Sequence, residues 1–511
     1  MIKNLNNNIN CDLSADFLIV GGGTVGLPMS VKLSSASKIS VICLESGDAI
    51  QDGDYHSLNK VVQLGTEYQG ASKGRFRCLG GTSTRWGGAL IPFLGADLCK
   101  ELWPIELSDA TCCLEDVESF FALNHGPYES NLIDLGSGFV TRVAKWPKFS
   151  KKNVFNNLKS IISNRSNLEV WTNATVCKIQ CVTDGGVLVK ARSPDGGVLN
   201  VAAKKLIIAA GAIESTRLAL LLEIWNKNEQ RKVNHHIGKY FADHLSLPVG
   251  KLKPINKKRL NKIFGLAFES GGVMRSLRFE LSENCSSRGT VRPGFIHVGH
   301  DDSGGAFGAV RSILQALQRG SLPPIKVFKN LLCDIPWLCR FVFWRFFHKR
   351  LLFPTGSTFT VNVVTEQAPN KNNYLSLSDD RKDQFGMPLI EINWSVHSED
   401  VSNLEELTKL FEVAWNGSSL KKLGEFHRND QADPRFSLEN PLGIYHPTGT
   451  TRMSLSEASG VVDKNLVMFN YPQIQIVSTS VLPTGGGANP TMMLMLLAFR
   501  CARQHMKGVN P

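Results

Sequence analysis

Phe17-Leu18-Ile19-Val20-Gly21-Gly22-Gly23-Thr24-Val25-Gly26 is the stretch on which the fold turns. Its four leading apolar residues suit a parallel strand buried on both faces, and the glycines that follow at once cannot continue it. A helix-like stretch then runs to Ser35, so the order is strand, tight turn, helix. In such a turn Gly21 permits the reversal, Gly23 lets backbone N–H groups approach a pyrophosphate, and Gly26 lets helix and strand pack closely, with Thr24 and Val25 between them. A second buried run, Ser40-Val41-Ile42-Cys43-Leu44, ends in Glu45, nineteen residues past Gly26. A carboxylate at that distance can accept hydrogen bonds from ribose hydroxyls. A merely tight turn would explain the glycines but not the acid. The unit therefore predicts dinucleotide binding, with NAD and FAD both open.

Further along, β-type patterning returns over Val170 to Ile179 and Leu206 to Ala210, and Gly211-Ala212-Ile213-Glu214-Ser215 opens an apolar helix through Leu222. Before these, between Glu45 and Val170, lies Arg77-Cys78-Leu79-Gly80-Gly81-Thr82-Ser83-Thr84-Arg85-Trp86-Gly87-Gly88, which fits neither period and reads as a loop pressed against something. From about Leu245 to Asn440 the pattern changes to amphipathic strands such as Thr358 to Thr365 and Leu389 to Trp394, with helices such as Ser402 to Ala414. The segment from Tyr445 onward holds a strand at Ile474 to Val477 and a helix at Thr491 to Met506.

At 511 residues the chain has room for two interleaved domains. A net charge of +12 is concentrated in Lys251 to Lys262 and in Arg319 through Arg350, the latter with Asp334 as its single acid. The twelve cysteines show no paired spacing and no metal pattern, and read as reduced thiols. No apolar stretch reaches the ~18 residues that span a bilayer. Residues 1–15, polar and Asn-rich, read as a frayed leader, and the chain as cytoplasmic, with peripheral membrane contact open.

The most specific segment is His446-Pro447-Thr448-Gly449-Thr450-Thr451-Arg452-Met453, followed by Gly460-Val461-Val462-Asp463, Ser480-Val481-Leu482-Pro483-Thr484 and Ala488-Asn489-Pro490-Thr491. With the fingerprint and the glycine-rich loop in this order, the chain resembles the glucose-methanol-choline (GMC) oxidoreductase family, most closely the pyranose oxidase and sugar and gluconate dehydrogenase branch. The resemblance covers roughly 17–95, 165–245 and 440–511. It implies an α/β fold in which a Rossmann-type FAD-binding domain (16–95, 165–245, 440–511) is interleaved with a substrate domain (96–164, 246–439) on a mainly antiparallel sheet with helices. It also implies His446 as general base and Asn489, forty-three residues on, as hydrogen-bond donor to the oxyanion, while hydride passes from a CH–OH carbon to flavin N5. By the same likeness Gly80, Gly81, Thr82, Ser83, Trp86, Gly87 and Gly88 meet the flavin, Val176 the adenine, and Ala210, Gly211, Ser480, Pro490 and Thr491 the rest of the cofactor. Arg85 stands where pyranose oxidase carries the histidine that bonds covalently to FAD, so non-covalent FAD is expected. Ser478 replaces an aspartate of some relatives.

The expected partners are an alcohol or sugar and an electron acceptor, whether oxygen, quinone or protein, with no metal and no nucleic acid. A redox-silent lyase on the same fold and a dehydrogenase of a lipid-linked substrate stay open as alternatives. Residues 326–352 interleave Trp337, Phe341, Phe343, Trp344, Phe346 and Phe347 with cations. That composition suits either a helix lying in a lipid interface or a domain helix whose aromatics are core and whose cations are solvated.

Overall fold

The computed structural model describes all residues except 52, 137, 183–184, 228–232, 301–304, 333, 355, 430–442 and 508–511. Its larger sheet runs in the order Ile2–Asn4, Leu168–Thr172, Val41–Leu44, Asn10–Val20, Val198–Ile208, Tyr471–Ile476, Val467–Met468, and all neighbours but the last pair are parallel. The central strands are buried on both faces, which is why Leu18, Ile19, Val41 and Cys43 show no alternation. Helices Gly26–Leu33, Val154–Asn164 and Thr491–Lys507 join the core around this sheet.

The second sheet is antiparallel and runs Ala267–Phe268, Met274–Leu281, Gly294–His300, Phe359–Glu366, His244–Pro254, Gly424–Arg428, with Phe139–Trp146 also paired to Met274–Leu281. Its residues alternate, with one bulge between Pro248 and Gly250. Phe279, Ile296, Val361, Val363, Leu245 and Leu247 share a core with helix Ser398–Gly417, while Arg278, Glu280, His297, Glu366 and His244 take the intervening positions. The fold expectation, a Rossmann-type domain interleaved with an antiparallel one, holds.

Three details differ from the sequence reading. Residues 1–15 are no frayed leader. Ile2–Asn4 pairs with Leu168–Thr172, Asn10–Val20 pairs with Val198–Ile208, and the Met1 ammonium donates to the Ile162 and Leu168 carbonyls. The asparagines masked an anchored segment in which Leu5 and Ala15 are buried and Ile2, Ile9 and Leu13 pack on the core. Residues 96–164 are split: Trp103, Ile105, Val117, Phe121 and Leu158 lie in the nucleotide-side core, and only Phe139–Trp146 joins the antiparallel sheet. Conversely, Val61–Gln63 pairs with Pro388–Asn393 beyond the first sheet. The boundary at 439/440 lies outside the described residues.

The basic aromatic segment forms helices Ile325–Leu332 and Ile335–Phe343 and the turn Trp344–His348. Reading its aromatics as core fails, since Trp337 is buried but Phe343, Phe346 and Phe347 are exposed.

Candidate active site

Where strand Asn10–Val20 ends, Gly21 turns with φ +108° and donates to Leu44 O at 2.7 Å. A Cβ on Gly21 would stand 2.5 Å from Ala209 O, and one on Gly26 would stand 1.8 Å from Gly21 O, so both glycines are dictated by backbone packing. Gly23 is different. A Cβ there would meet nothing nearer than Gly81 Cα at 3.9 Å, so the protein itself has no need of glycine at this position. The helix that follows starts at Gly26 with no side-chain cap and no acid in its first turn, so its positive end can favour an anion, although Pro28 has no N–H and Leu27 N and Met29 N donate to Gly23 O and Val25 O.

The glycine-rich loop is stapled to this turn. Gly80 N donates to Gly22 O at 2.8 Å, and Ser83 N to Thr24 Oγ1 at 3.1 Å. Buried Glu45 accepts from Gly22 N and Gly47 N, each at 2.8 Å, while still lining the groove. Burial raises its pKa against those N–H groups and Arg77. The groove spans about 1240 Å³ when the open space at its mouth is included.

Of the expected cofactor residues, Gly21, Gly23, Thr24, Val25, Glu45, Gly81, Thr82, Trp86, Ala210, Gly211, Pro490 and Thr491 line this groove, with His446 at its wall. Val176 lines an adjoining smaller cavity that shares Gly21, Ser46, Arg77, Ala210 and Glu214 with it, at the end away from His446. Gly26, Gly80, Ser83, Gly87 and Gly88 stand behind the lining rather than in it. Ser83 Oγ, for example, is spent on Gly80 O at 2.6 Å and on Val154 N at 3.1 Å. Ser480 is also set back, its hydroxyl bonded to Thr451 and Ser478, and Ser478 lines the groove instead. Arg85 points away, bonded to Asp54 and to Gly53 O and stacked on Phe76.

Sequence reasoning missed Arg75, Arg77 and Glu214 as a unit beside the groove. Arg75 and Arg77 each reach Glu214 at 2.9 Å, with Arg217 at 3.5 Å. Burial opposes the charge, but Arg77, Arg217 and Arg75 hold the Glu214 carboxyl down to about 2, and the cations outnumber it. Glu214 was visible in the second strand-to-helix turn, but nothing in the sequence said that Arg75 and Arg77 would meet it.

His446 and Asn489 do come together, with Asn489 Nδ2 donating to His446 Nε2 at 3.4 Å. Asp243 fixes the histidine's backbone: its carboxylate accepts from the N–H groups of His446 at 2.6 Å, His244 at 2.7 Å and Tyr445 at 2.9 Å, and from the Tyr68 hydroxyl at 3.0 Å. Those bonds hold Tyr445 at φ +67°, a left-handed conformation that a tyrosine seldom takes. Burial pushes Asp243 up to about 6 despite the N–H groups. Burial, the His244 ring at 5.3 Å and the Arg278 cation hold the His446 imidazole well below the ordinary histidine value, so it is neutral. With Nε2 accepting, the ring proton sits on Nδ1, which has no hydrogen-bond partner among the described residues.

Arg278, also missed, sits buried with Nη2 donating to Asn489 Oδ1 at 2.8 Å and its guanidinium 3.9 Å over Phe295. That bond assigns the Asn489 amide: oxygen to Arg278, N–H toward His446. Glu280, two residues along the same strand face, is pushed up to about 7 by burial against Arg142 and Arg278. Glu366 is pushed up to about 8 by burial against the Gly486 N–H that it accepts.

Comparison with known proteins agrees with this architecture. Residues 369–498 match the GMC oxidoreductase family model. The chain is 22% identical over 92% of its length, and 89% of that of the relative, to the GMC oxidoreductase family protein Mala s 12 of Malassezia sympodialis. It is 30% identical to 2-methyl-1,2-propanediol dehydrogenase of Mycolicibacterium austroafricanum over 146 residues, which are 28% of this chain and 24% of that protein. A solved structure of formate oxidase from Aspergillus oryzae RIB40 covers 98% of this chain and 99% of its own, with a TM-score of 0.57 at 15% identity, and so shares the fold. Family model and relatives point the same way: the chain is similar to GMC oxidoreductases through residues 369–498 and, at 22% identity, along most of its length.

Proposed function

We propose that this chain is an FAD-dependent oxidoreductase that oxidises the CH–OH group of an alcohol or sugar, with His446 as its general base. The observation that carries the reading is the neutral His446 paired with Asn489 at the wall of a dinucleotide groove. The residues present fit the cofactor: Gly23 leaves a space that only a close-approaching ligand needs, and the helix at Gly26 turns its positive end, with no acid in the first turn, to the groove. Glu45 has carboxylate oxygen to offer ribose hydroxyls, and Arg75 and Arg77 add positive charge along the groove. When bound there, FAD would supply the hydride acceptor. The binding is non-covalent, a reading supported by Arg85, whose side chain is engaged elsewhere.

The chain's own part is proton chemistry. His446 Nε2 takes the hydroxyl proton, because a neutral imidazole has a free lone pair and a low local pKa keeps it unprotonated in the resting state. Asn489 Nδ2–H donates to the oxygen as charge builds on it, without titrating. Arg278 holds the amide in the orientation that makes this possible.

Anaerobic titration of the purified protein against a panel of alcohols and sugars, following the flavin absorbance band, tests the reading. Bleaching by one class, lost in His446→Ala with flavin content intact, is the expected result. A bound flavin that no alcohol reduces points to the redox-silent lyase, and a protein without flavin overturns the assignment. Reoxidation of the bleached protein by oxygen, a quinone or a protein acceptor then identifies the second substrate.

A further inference from the structure

An amphipathic helix of a globular protein turns its apolar stripe to the core. Helix Ile325–Leu332 does the reverse. It has no buried residue, and its apolar positions Ile325, Phe328 and Leu332 recur at helical spacing on the surface, Ile325 being 82% and Leu332 71% exposed. The exposed apolar surface continues through Ile335, Val342 and Phe343 and ends on Phe346 and Phe347, 71% and 74% exposed. The arm is held at two places: at its far end Phe268 N donates to Lys349 O at 2.9 Å and Arg345 lies 3.8 Å over the Phe268 ring, while Trp337 anchors the middle. Trp337 lies against Phe307 and Phe341 and donates its indole N–H to Phe353 O at 3.3 Å.

The apolar face is edged with cations. Lys326, Lys329, Arg340 and Lys349 are exposed around it, and the single acid between Arg319 and Arg350, Asp334, is committed to capping its helix by accepting from Trp337 N at 3.1 Å. We propose that this face docks on an anionic lipid bilayer, lying among the headgroups without crossing them. Neither ingredient suffices alone, but a lipid interface satisfies both, since the acyl boundary takes the phenylalanines and leucines while phosphate headgroups take the cations. No helix among the described residues is long and apolar enough to cross a membrane. A second copy of the chain fits less well, because face-to-face pairing would set these cations against their own kind.

The docking face is tied to the groove. Helix Gly305–Arg319 packs against helix Ile325–Leu332, and its Gln318 donates to Ser83 O and Trp86 O, both at 3.0 Å, on the glycine-rich loop. The inference does not depend on the redox reading; in its test only the bleaching control does, and flotation, thermal midpoint and quenching stand without it.

Flotation of the full flavin-loaded chain with vesicles of phosphatidylcholine, alone or mixed equally with phosphatidylglycerol, provides that test. The chain is expected to float with the mixed vesicles at low salt and to be released at high salt. F346E/F347E should lower partitioning at least about tenfold, and Lys326→Glu with Lys349→Glu at least about fivefold for each cation removed, with thermal midpoint and alcohol-dependent bleaching unchanged. Quenching of tryptophan emission by brominated lipid in the unmodified protein gives the same answer without substitution. Absence of flotation, flotation that F346E/F347E leaves intact, or no quenching overturns the proposal. So does a dimer in light scattering that F346E/F347E dissociates, which would give the face to a second copy.

Discussion

Replacing Arg278 by methionine separates two ways in which a buried cation can serve Asn489. The first is orientation. The Nη2 to Oδ1 bond of 2.8 Å is charge-assisted, and such bonds contribute about 1.5–3 kcal/mol, enough to keep a flipped amide below roughly a tenth of molecules. Were that the whole role, losing it would leave about half the amides correctly turned and slow the reaction only about twofold. The second is electrostatic, because a cation one hydrogen bond behind the proposed oxyanion donor would stabilise charge that develops there. Losing an oxyanion-hole donor outright costs about 10²–10³ in kcat, and a cation one bond removed should cost at least about tenfold, with KM changing less. Arg278 also helps hold the His446 pKa down, so its loss moves the acid limb of the kcat/KM profile to higher pH. Methionine keeps bulk over Phe295 and leaves no unpaired charge. Stopped-flow bleaching of the flavin by the best alcohol, measured across pH, reads both effects. A loss of no more than twofold with an unmoved acid limb would refute the electrostatic role and leave Arg278 as a strut.

Gly23→Ala should fold with an unchanged apoprotein midpoint, because its Cβ meets nothing nearer than 3.9 Å, yet lose at least about tenfold in FAD affinity; normal flavin content would sink the close-approach argument. Gly26→Ala sets a Cβ 1.8 Å from Gly21 O and should destabilise the fold by several kcal/mol in urea unfolding. Glu366, raised to about 8, holds its proton more tightly when folded than unfolded. Its contribution to stability is full below the unfolded carboxylate value and is lost as pH climbs through about 8. Glu366→Gln should therefore gain on the parent between about pH 6 and about pH 9; an equal difference at both ends would show that Glu366 does not titrate there.

The first strand, its glycines and Glu45 were legible because one short segment carries every requirement of the turn: Gly21 and Gly26 answer to backbone packing and Glu45 to the next strand. That His446 and Asn489 would meet was legible through a family resemblance, not through any period in the chain. Arg278 was not legible. It lies in an ordinary alternating strand, and its importance comes from the register that places Met274–Leu281 opposite the end of the parallel sheet. Asp243 was hidden in the same way, since a carboxylate that gathers the N–H groups of residues two hundred positions away has no local signature. The leader was misread because exposed asparagines interrupt the apolar residues that anchor it, so no period shows.

The strand order has a consequence for how the protein is made. The antiparallel sheet takes its last strand from Gly424–Arg428, but the parallel sheet places Tyr471–Ile476 beside Val198–Ile208 and packs Thr491–Lys507 over its core. Chains fold as they emerge, at about 5–20 residues per second. The later-numbered sheet can thus close while Leu206–Ile208 still lack Ile474–Ile476 beside them, and the nascent chain leaves that side of the parallel sheet open until Tyr471–Ile476 emerges. Cofactor uptake is then a late event, and a slow or cofactor-starved cell is where this chain should lean most on chaperones.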